Sequence, residues 1–519
     1  MNGDRSDTTA GTSLVRAITR SEALAMVVGS MIGAGVFIVA ADVVRQARYP
    51  GIALAAWGLA AVILMTGGQV YSELGGRFPR AGGIYVYLRE AFSPLVGFLF
   101  GWTLFAVIWT GGTAAAATGF ARFASVIFPS IGPDLWFGWT VALPSGPIEV
   151  GVGPQRLLAV ASIALITWIN RRGVREAAAI QAAFTLIKVG AVLALVALGL
   201  SIGRNPAALA ANFGAAFWPS RIDAATVTTF AAAMVGPLFA MDGWYALCFA
   251  ASEMVDAKRD LPFAMTAGTL LGGVLYVLIN LAYFTVLPAA HIAGADQDRV
   301  ASAVMEQMLG PLGGQLMAAA IMASSFGLNV GLLLGGARVF YAMARDGLFF
   351  SAMGRLHPTY RTPATALTFQ GLWISVLCLS GSYGQLLDFT MVASLVFYFL
   401  VPVGLFVLRF RRPDAERPVR AWGYPVVPFI SCGRERVGLR PVGDAASAVH
   451  LARPGAPGAW PADLFRAIPA GGDVMNGAAW SLVALLVAII ASVVTRLNVG
   501  VLAIALAWLV GVGAAGLNA

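Results

Sequence analysis

The sequence predicts an all-α polytopic membrane protein built as five plus five spans in inverted repeat, with helices 1 and 6 broken. Three observations carry this. The first is composition: of 519 residues, 59% are hydrophobic and only 11% charged, and the mean hydropathy is +0.79. A soluble domain carries roughly a quarter charged residues, whereas a bilayer span needs about 20 mostly apolar ones, and such stretches recur along this chain. The second is a pair of interruptions, Gly29–Phe37 in the first apolar segment and Gly236–Trp244 in the sixth. Backbone in lipid must satisfy its own hydrogen bonds, so a non-helical turn at membrane depth survives only where protein or a polar cavity surrounds it. Matching breaks in two halves point to a transporter's binding site. The third is spacing: five spans separate the breaks, an odd number, so the second half enters the membrane from the opposite side.

Residues 1–21 read as a polar cytoplasmic tail without a cleavable signal pattern. Apolar segments follow near 22–44, 52–76, 94–121, 155–170, 176–202, 225–250, 263–288, 313–343, 363–381 and 385–408, giving a ten-span core over 22–410. A shorter amphipathic stretch, Ala81–Ser93, is expected to lie on the membrane surface. With the N-terminus inside, nineteen Arg and Lys residues fall on the inner side, against Arg45, Arg48, Arg122, Arg156, Arg204, Arg221 and Arg299 outside. That asymmetry sets the orientation in a cytoplasmic (inner) membrane. It also accounts for the net charge of +9, so nucleic acid is not an expected partner; the lipid bilayer is.

After Ile430 the character changes. Residues 431–473 hold five Arg, five Pro and seven Gly with no spanning stretch, so 411–473 reads as a cytoplasmic linker. An atypical hairpin over 474–519 completes about twelve transmembrane helices. The change at about residue 431 falls where an eleventh span begins, as a frameshift into neighbouring sequence would produce.

The first break offers the backbone N–H groups of Gly33, Ala34 and Gly35, next to Ile32. A half-helix starting there turns its positive end toward the gap and suits a carboxylate. The glycines alone are equally explained as a seat for a neighbouring helix; the second break tips the balance toward a site. There the carbonyls of Phe239, Ala240 and Met241 are expected to accept from a substrate ammonium. Asp242 is a carboxylate within a span, either facing the cavity or capping the second half-helix after Gly243; capping is the preferred role. Trp244 either walls the pocket or packs outward.

Lys188, in the middle of span five, is costly unless functional. It is a candidate for proton coupling, with a fixed internal cation as the alternative. Trp109, Thr110, Ser325 and Asn329 are further pocket candidates, with helix-to-helix hydrogen bonding the blander role for the last two. The three Cys and three His form no metal spacing. No phosphate loop or nucleophile elbow appears. No catalytic residue, metal or cofactor is therefore expected.

The run Gly29–Phe37 resembles the first-helix signature of the amino acid–polyamine–organocation transporters. Tyr71–Leu74, Arg77–Gly83 and Tyr85–Arg89 are similar to that family's connection between the second and third helices. Phe239–Trp244 resembles its sixth-helix motif, and Gly336–Gly347 its segment after helix eight. The resemblance runs from Ser13 to about Ile430. It implies the inverted-repeat fold, a substrate α-carboxylate on the helix-one glycines, and an α-amino group on the carbonyls of both breaks. It also implies that Lys188 fills the place of a sodium-like site in proton-coupled or sodium-independent members. The expected function is secondary transport of amino acids by alternating access, either coupled to a proton as the candidate ion or by exchange. The apolar surroundings of Met241 and Trp244 lean toward neutral substrates. A binding receptor that does not transport, and a permease inactivated by its altered C-terminus, are the alternatives.

Overall fold

The computed structural model describes residues 18–80, 82–143, 146–380 and 383–425. The expected linker beyond 425, the change at 431 and the terminal hairpin lie outside the described residues.

Each of the ten apolar segments coincides with helix. The first is split into α1 (Arg20–Met31) and α2 (Gly35–Ala47), bent by 42° across Ile32–Ala34. Thr19 and Glu22 form a reciprocal capping box that starts α1, satisfying amides that have no partner within the helix. Then come α3 (Pro50–Arg77), the short α4 (Ile84–Ala91) expected at the surface, and α5 (Pro94–Thr103). A π-helical turn (Leu104–Ile108) joins α5 to α6 (Trp109–Ile127). Beyond it lie α7 (Pro154–Arg172), α8 (Val174–Leu200), α9 (Pro206–Phe213) and α10 (Ala224–Ala240), which ends at the second break. The one-turn α11 (Ala246–Phe249) leads through a 3-10 turn (Ala251–Glu253) into α12 (Ala257–Val286) and α13 (Ala289–Ala293). The last are α14 (Val300–Arg345), α15 (Ala364–Ser380) and α16 (Tyr383–Arg411). Among the described residues five helices are long and apolar enough to cross a bilayer unaided, and α1 with α2 make a sixth as a bent pair.

Two features depart from the sequence reading. An antiparallel hairpin, β1 (Phe137–Leu143) with β2 (Gly146–Val152), fills the connection before α7. Seven-residue strands are invisible to a search for apolar stretches of spanning length. α14 also begins thirteen residues before the expected 313, because Gly310 at φ 71° absorbs a kink and lets 300–309 coil as a short helix of its own.

The helix ends sort into two faces. On one, the Ile18 amide bonds the Glu253 carbonyl at 2.9 Å and the Val255 amide bonds that of Ile18 at 3.0 Å. Arg409 Nε donates to Glu73 at 2.9 Å, and Thr362 Oγ1 to the Arg171 carbonyl at 3.0 Å. On the other, Arg45 bonds Asp298 at 2.8 Å, Arg122 the Gln297 carbonyl at 3.0 Å, and Asn212 the carbonyls of Phe284 and Leu287. The 28 residues of α3 separate the faces by about 42 Å at 1.5 Å per residue.

Close helix packing sets the core. A Cβ on Gly75 would lie 2.5 Å from Leu261 Cδ2, and one on Gly273 2.9 Å from Ala61 Cβ. Glycine thus lets α3 and α12 approach to backbone contact, the usual way membrane helices associate.

Candidate functional site

The two breaks meet at the centre of the bundle. A Cβ on Gly35 would lie 3.1 Å from Ala240 Cα, and one on Gly243 2.7 Å from the Ser30 carbonyl oxygen. Gly243 also sits at φ +87°, a conformation that side chains with a Cβ rarely adopt. Glycine is therefore required there twice over. The Tyr276 hydroxyl of α12 lies 2.7 Å from both the Met31 and the Ala240 carbonyls, so one group ties the first break to the second. Ser324 Oγ of α14 donates to the Ile32 carbonyl at 3.1 Å.

Around this junction is a cavity with about 620 Å³ of non-atom space, the part open to solvent included. Gly33, Ala34 and Gly35 border it from the first break, and Phe239, Ala240, Asp242 and Gly243 from the second. Among the described residues no group accepts from the amides of Gly33, Ala34 or Gly35. These are the orphan donors that a helix start leaves, here aimed into a cavity. The carbonyls opposite are less free than the sequence predicts. Phe239 O already accepts from the amides of Asp242, at 2.9 Å, and Met241, while Ala240 O accepts from Tyr276 and keeps a second lone pair.

Asp242 borders the cavity, and its Oδ1 accepts from the Tyr398 hydroxyl of α16. The N-cap of α11 is Tyr245, which makes no side-chain capping bond, so the preferred capping role gives way to the cavity-facing one. The break uncoils further than expected: the chain runs through turns from Met241 to Tyr245 before any helix resumes.

Trp109 borders the cavity, with its indole N–H given to the Leu332 carbonyl. The π-helical turn just before it moves its side chain out of the α-helical register, a common use of such turns at functional sites. The other pocket candidates lie elsewhere. Thr110 Oγ1 spends its hydrogen bond on the Phe105 carbonyl inside the π turn, at 2.7 Å. Ser325 bonds the Ile321 carbonyl at 2.9 Å. Asn329 is 1% exposed and its amide finds no partner among the described residues. Ile32 and Met241 are buried beside the cavity rather than on it. Trp244 neither walls the cavity nor faces lipid: it packs behind the break, edge-on to Tyr71 at 4.6 Å and against Gly67. The next residue, Tyr245, takes the wall position. Since the break is a wide turn and not helix, helical phase cannot be carried across it, and the sequence reading chose the wrong aromatic.

The remaining walls are Ile108, Gly112 and Ala116 from the α5–α6 unit, Leu328 and Leu332 from α14, and Thr390 from α16. Sequence reasoning missed them because single small or apolar residues on long apolar helices carry no local signal. The cavity thus offers amide donors at one end, carbonyl acceptors and one carboxylate at the other, and apolar sides.

Lys188 lies outside the cavity, 1% exposed, and its ammonium donates to the Gly29 carbonyl just before the first break. Among the described residues no carboxylate pairs with it. Its charge therefore rests against the C-terminal end of α1, where a cation is favoured.

The amino acid permease family profile matches residues 18–433. The chain is 30% identical over 410 residues to the serine/threonine exchanger SteT of Bacillus subtilis, covering 79% of this chain and 86% of that one. It is 29% identical over 417 residues to the large neutral amino acids transporter small subunit 2 of Mus musculus, covering 79% and 73%. It is 28% identical over 419 residues to the b(0,+)-type amino acid transporter 1 of Oryctolagus cuniculus, covering 80% of each. These relatives are transporters and exchangers rather than enzymes. With the profile spanning most of its length, the chain belongs to the amino acid permease family of the amino acid–polyamine–organocation transporters.

Proposed function

We propose that the protein is a secondary active transporter that moves neutral amino acids across the cytoplasmic (inner) membrane by alternating access, with its N-terminus inside. The observation that carries this is the pairing of three unpartnered amides, Gly33 to Gly35, with backbone acceptors across one cavity. An α-amino acid presents the complementary pair, a carboxylate and an ammonium, at fixed separation. The side chain would then lie against Ile108, Trp109, Tyr245, Leu328 and Leu332, a wall without a basic residue. Asp242 and Tyr398 sit beside the ammonium end in this reading.

The ten helices of the core form two inverted halves about the two breaks. Lys188 couples a proton to the state of the first break through the Gly29 carbonyl. The segment from about 431 is a frameshifted replacement; the family match ending at 433 favours this, and an uninterrupted native reading frame through codon 431 in the source strain would overturn it. Exchange is a second reading of the transport mode, favoured by the exchanger among the relatives.

The test is uptake of a labelled amino-acid panel into proteoliposomes, with and without an inward proton gradient and with and without unlabelled amino acid inside. Accumulation driven by the gradient supports coupled uptake, and stimulation by internal amino acid supports exchange. No uptake under any condition, from protein that is folded and correctly sized in detergent, would sink the transport reading.

A further inference from the structure

We infer that the arginine-rich end of α7 is a binding site for an anionic phospholipid, whose phosphate sits on Arg171 and Arg172 and whose acyl chain lies along α7. A second cavity, separate from the one between the breaks, is bordered by Trp168, Arg171, Arg172, His357 and Tyr360. No carboxylate borders it among the described residues, and neither arginine has an acidic partner there. The Arg172 guanidinium lies 3.8 Å from the centre of the Trp168 ring, a cation–π contact that holds the charge in place. The opposite wall is a loop closed on itself. The His357 amide bonds the Thr362 carbonyl at 2.7 Å, and the Arg361 amide bonds the His357 carbonyl at 2.9 Å. Thr362 Oγ1 fixes this loop to the helix end through the Arg171 carbonyl. His357 Nδ1 accepts from the amides of Thr359 and Tyr360, which leaves Nε2 to carry the hydrogen as a donor.

The helix itself identifies the occupant. Leu157, Ala161, Ala164, Leu165, Trp168 and Arg172 form one exposed stripe, with Leu157, Leu165 and Trp168 exposed by 41%, 49% and 51%. The opposite face, Ala159, Ile163, Ile166 and Asn170, is fully buried. Nineteen residues give α7 a length of about 28 Å, close to the hydrocarbon thickness of a bilayer. Trp168 then lies about 6 Å inside the helix end, at the depth where aromatic side chains mark the interface. The stripe above it is the length of an acyl chain and ends at the two arginines. A free phosphate would have only the charge, at the C-terminal end of a helix dipole that disfavours anions. A lipid adds the apolar stripe. Basic interfacial pockets of this kind recognise anionic headgroups.

The test is native mass spectrometry of the whole chain in detergent, offered equal amounts of palmitoyl-oleoyl phosphatidylglycerol and phosphatidylcholine. The wild type should retain the phosphatidylglycerol adduct preferentially. Arg171→Gln/Arg172→Gln should reduce that adduct about tenfold or more, while Arg259→Gln/Arg420→Gln, which removes two exposed charges from the same face, leaves it unchanged. Trp168→Leu keeps both charges and should weaken retention severalfold. It decides the matter together with the wild type if the double variant does not fold. Equal retention of the two lipids by the wild type, equal loss in the Arg259/Arg420 control, or displacement of the adduct by millimolar inorganic phosphate would overturn the proposal.

Discussion

Gly243 combines a positive φ with a Cβ position 2.7 Å from the Ser30 carbonyl, so even Gly243→Ala must both strain the turn and push the breaks apart. The strain alone costs about 1–3 kcal/mol, and thermal unfolding in detergent should show a lowered midpoint together with lost uptake. Gly33→Leu acts differently. Its Cβ would meet only the flexible end of Leu328, at 2.6 Å, but the longer side chain fills the space in front of the free amides. Folding should survive and amino-acid binding should not; unchanged affinity, measured by scintillation proximity, would refute the carboxylate site. Tyr276→Phe removes the one hydroxyl shared by the Met31 and Ala240 carbonyls. Leaving buried acceptors unpaired costs about 1–3 kcal/mol, and we expect lower thermal stability together with uptake reduced by at least tenfold. Lys188→Ala frees the Gly29 carbonyl and removes the buried charge; uptake by the variant should lose its pH dependence. A dependence kept as in the wild type would place the proton on another group.

Among the elements, α3 and α12 are in contact through glycines along their length, so their packing tolerates little added volume. Gly75→Leu would drive a branched side chain into Leu261 and toward the Tyr87 hydroxyl, which lies 3.0 Å from where the first added carbon would sit. Overpacking of this kind costs about 1–3 kcal/mol. Size-exclusion profiles and unfolding midpoints should report it, whereas Gly58→Leu, with open space around it, should be neutral. The contrast between α7 and α12 shows how far sequence carries at this scale. Both were legible as helices from apolar length, but which face of α7 stays exposed emerged only from its neighbours, because its apolar residues are spread around the whole circumference.

Across the whole molecule, the arginine-rich face is tied together by ion pairs buried between distant parts of the chain. Arg338 of α14 meets Glu253 at 2.7 Å with both side chains under 10% exposed, and Glu253 is the residue whose carbonyl accepts from the Ile18 amide. Arg409 and the Ala421 amide, at 2.7 Å, share Glu73. Removing one partner of a buried pair leaves an uncompensated charge worth about 3–5 kcal/mol. We therefore expect Glu253→Gln to open this face, raising the labelling rate of a cysteine placed at Ser30. The Glu253→Gln/Arg338→Met double variant should recover much of the stability, since an apolar replacement of the arginine leaves no orphan charge. Equal labelling in wild type and Glu253→Gln would show that the pair does not hold the face shut.

The sequence by itself determined the helical membrane class, the two breaks and the segments that become helix. Each depends on local quantities: apolar length, backbone freedom at glycine, and the cost of charge in lipid. It also marked Gly33, Ala34, Gly35 and Lys188, because free amides and a mid-span cation are conspicuous without any neighbour. Tertiary structure alone decided which residues wall the cavity. Tyr245 replaced Trp244 because the turn after Met241 breaks helical phase. Asp242 left the helix cap for Tyr398, 156 residues away along the chain, and Thr390, Leu328 and Leu332 joined the wall from helices whose sequences look alike on every face. Contacts between residues hundreds of positions apart are fixed by how helices pack, and packing has no signature within any single span.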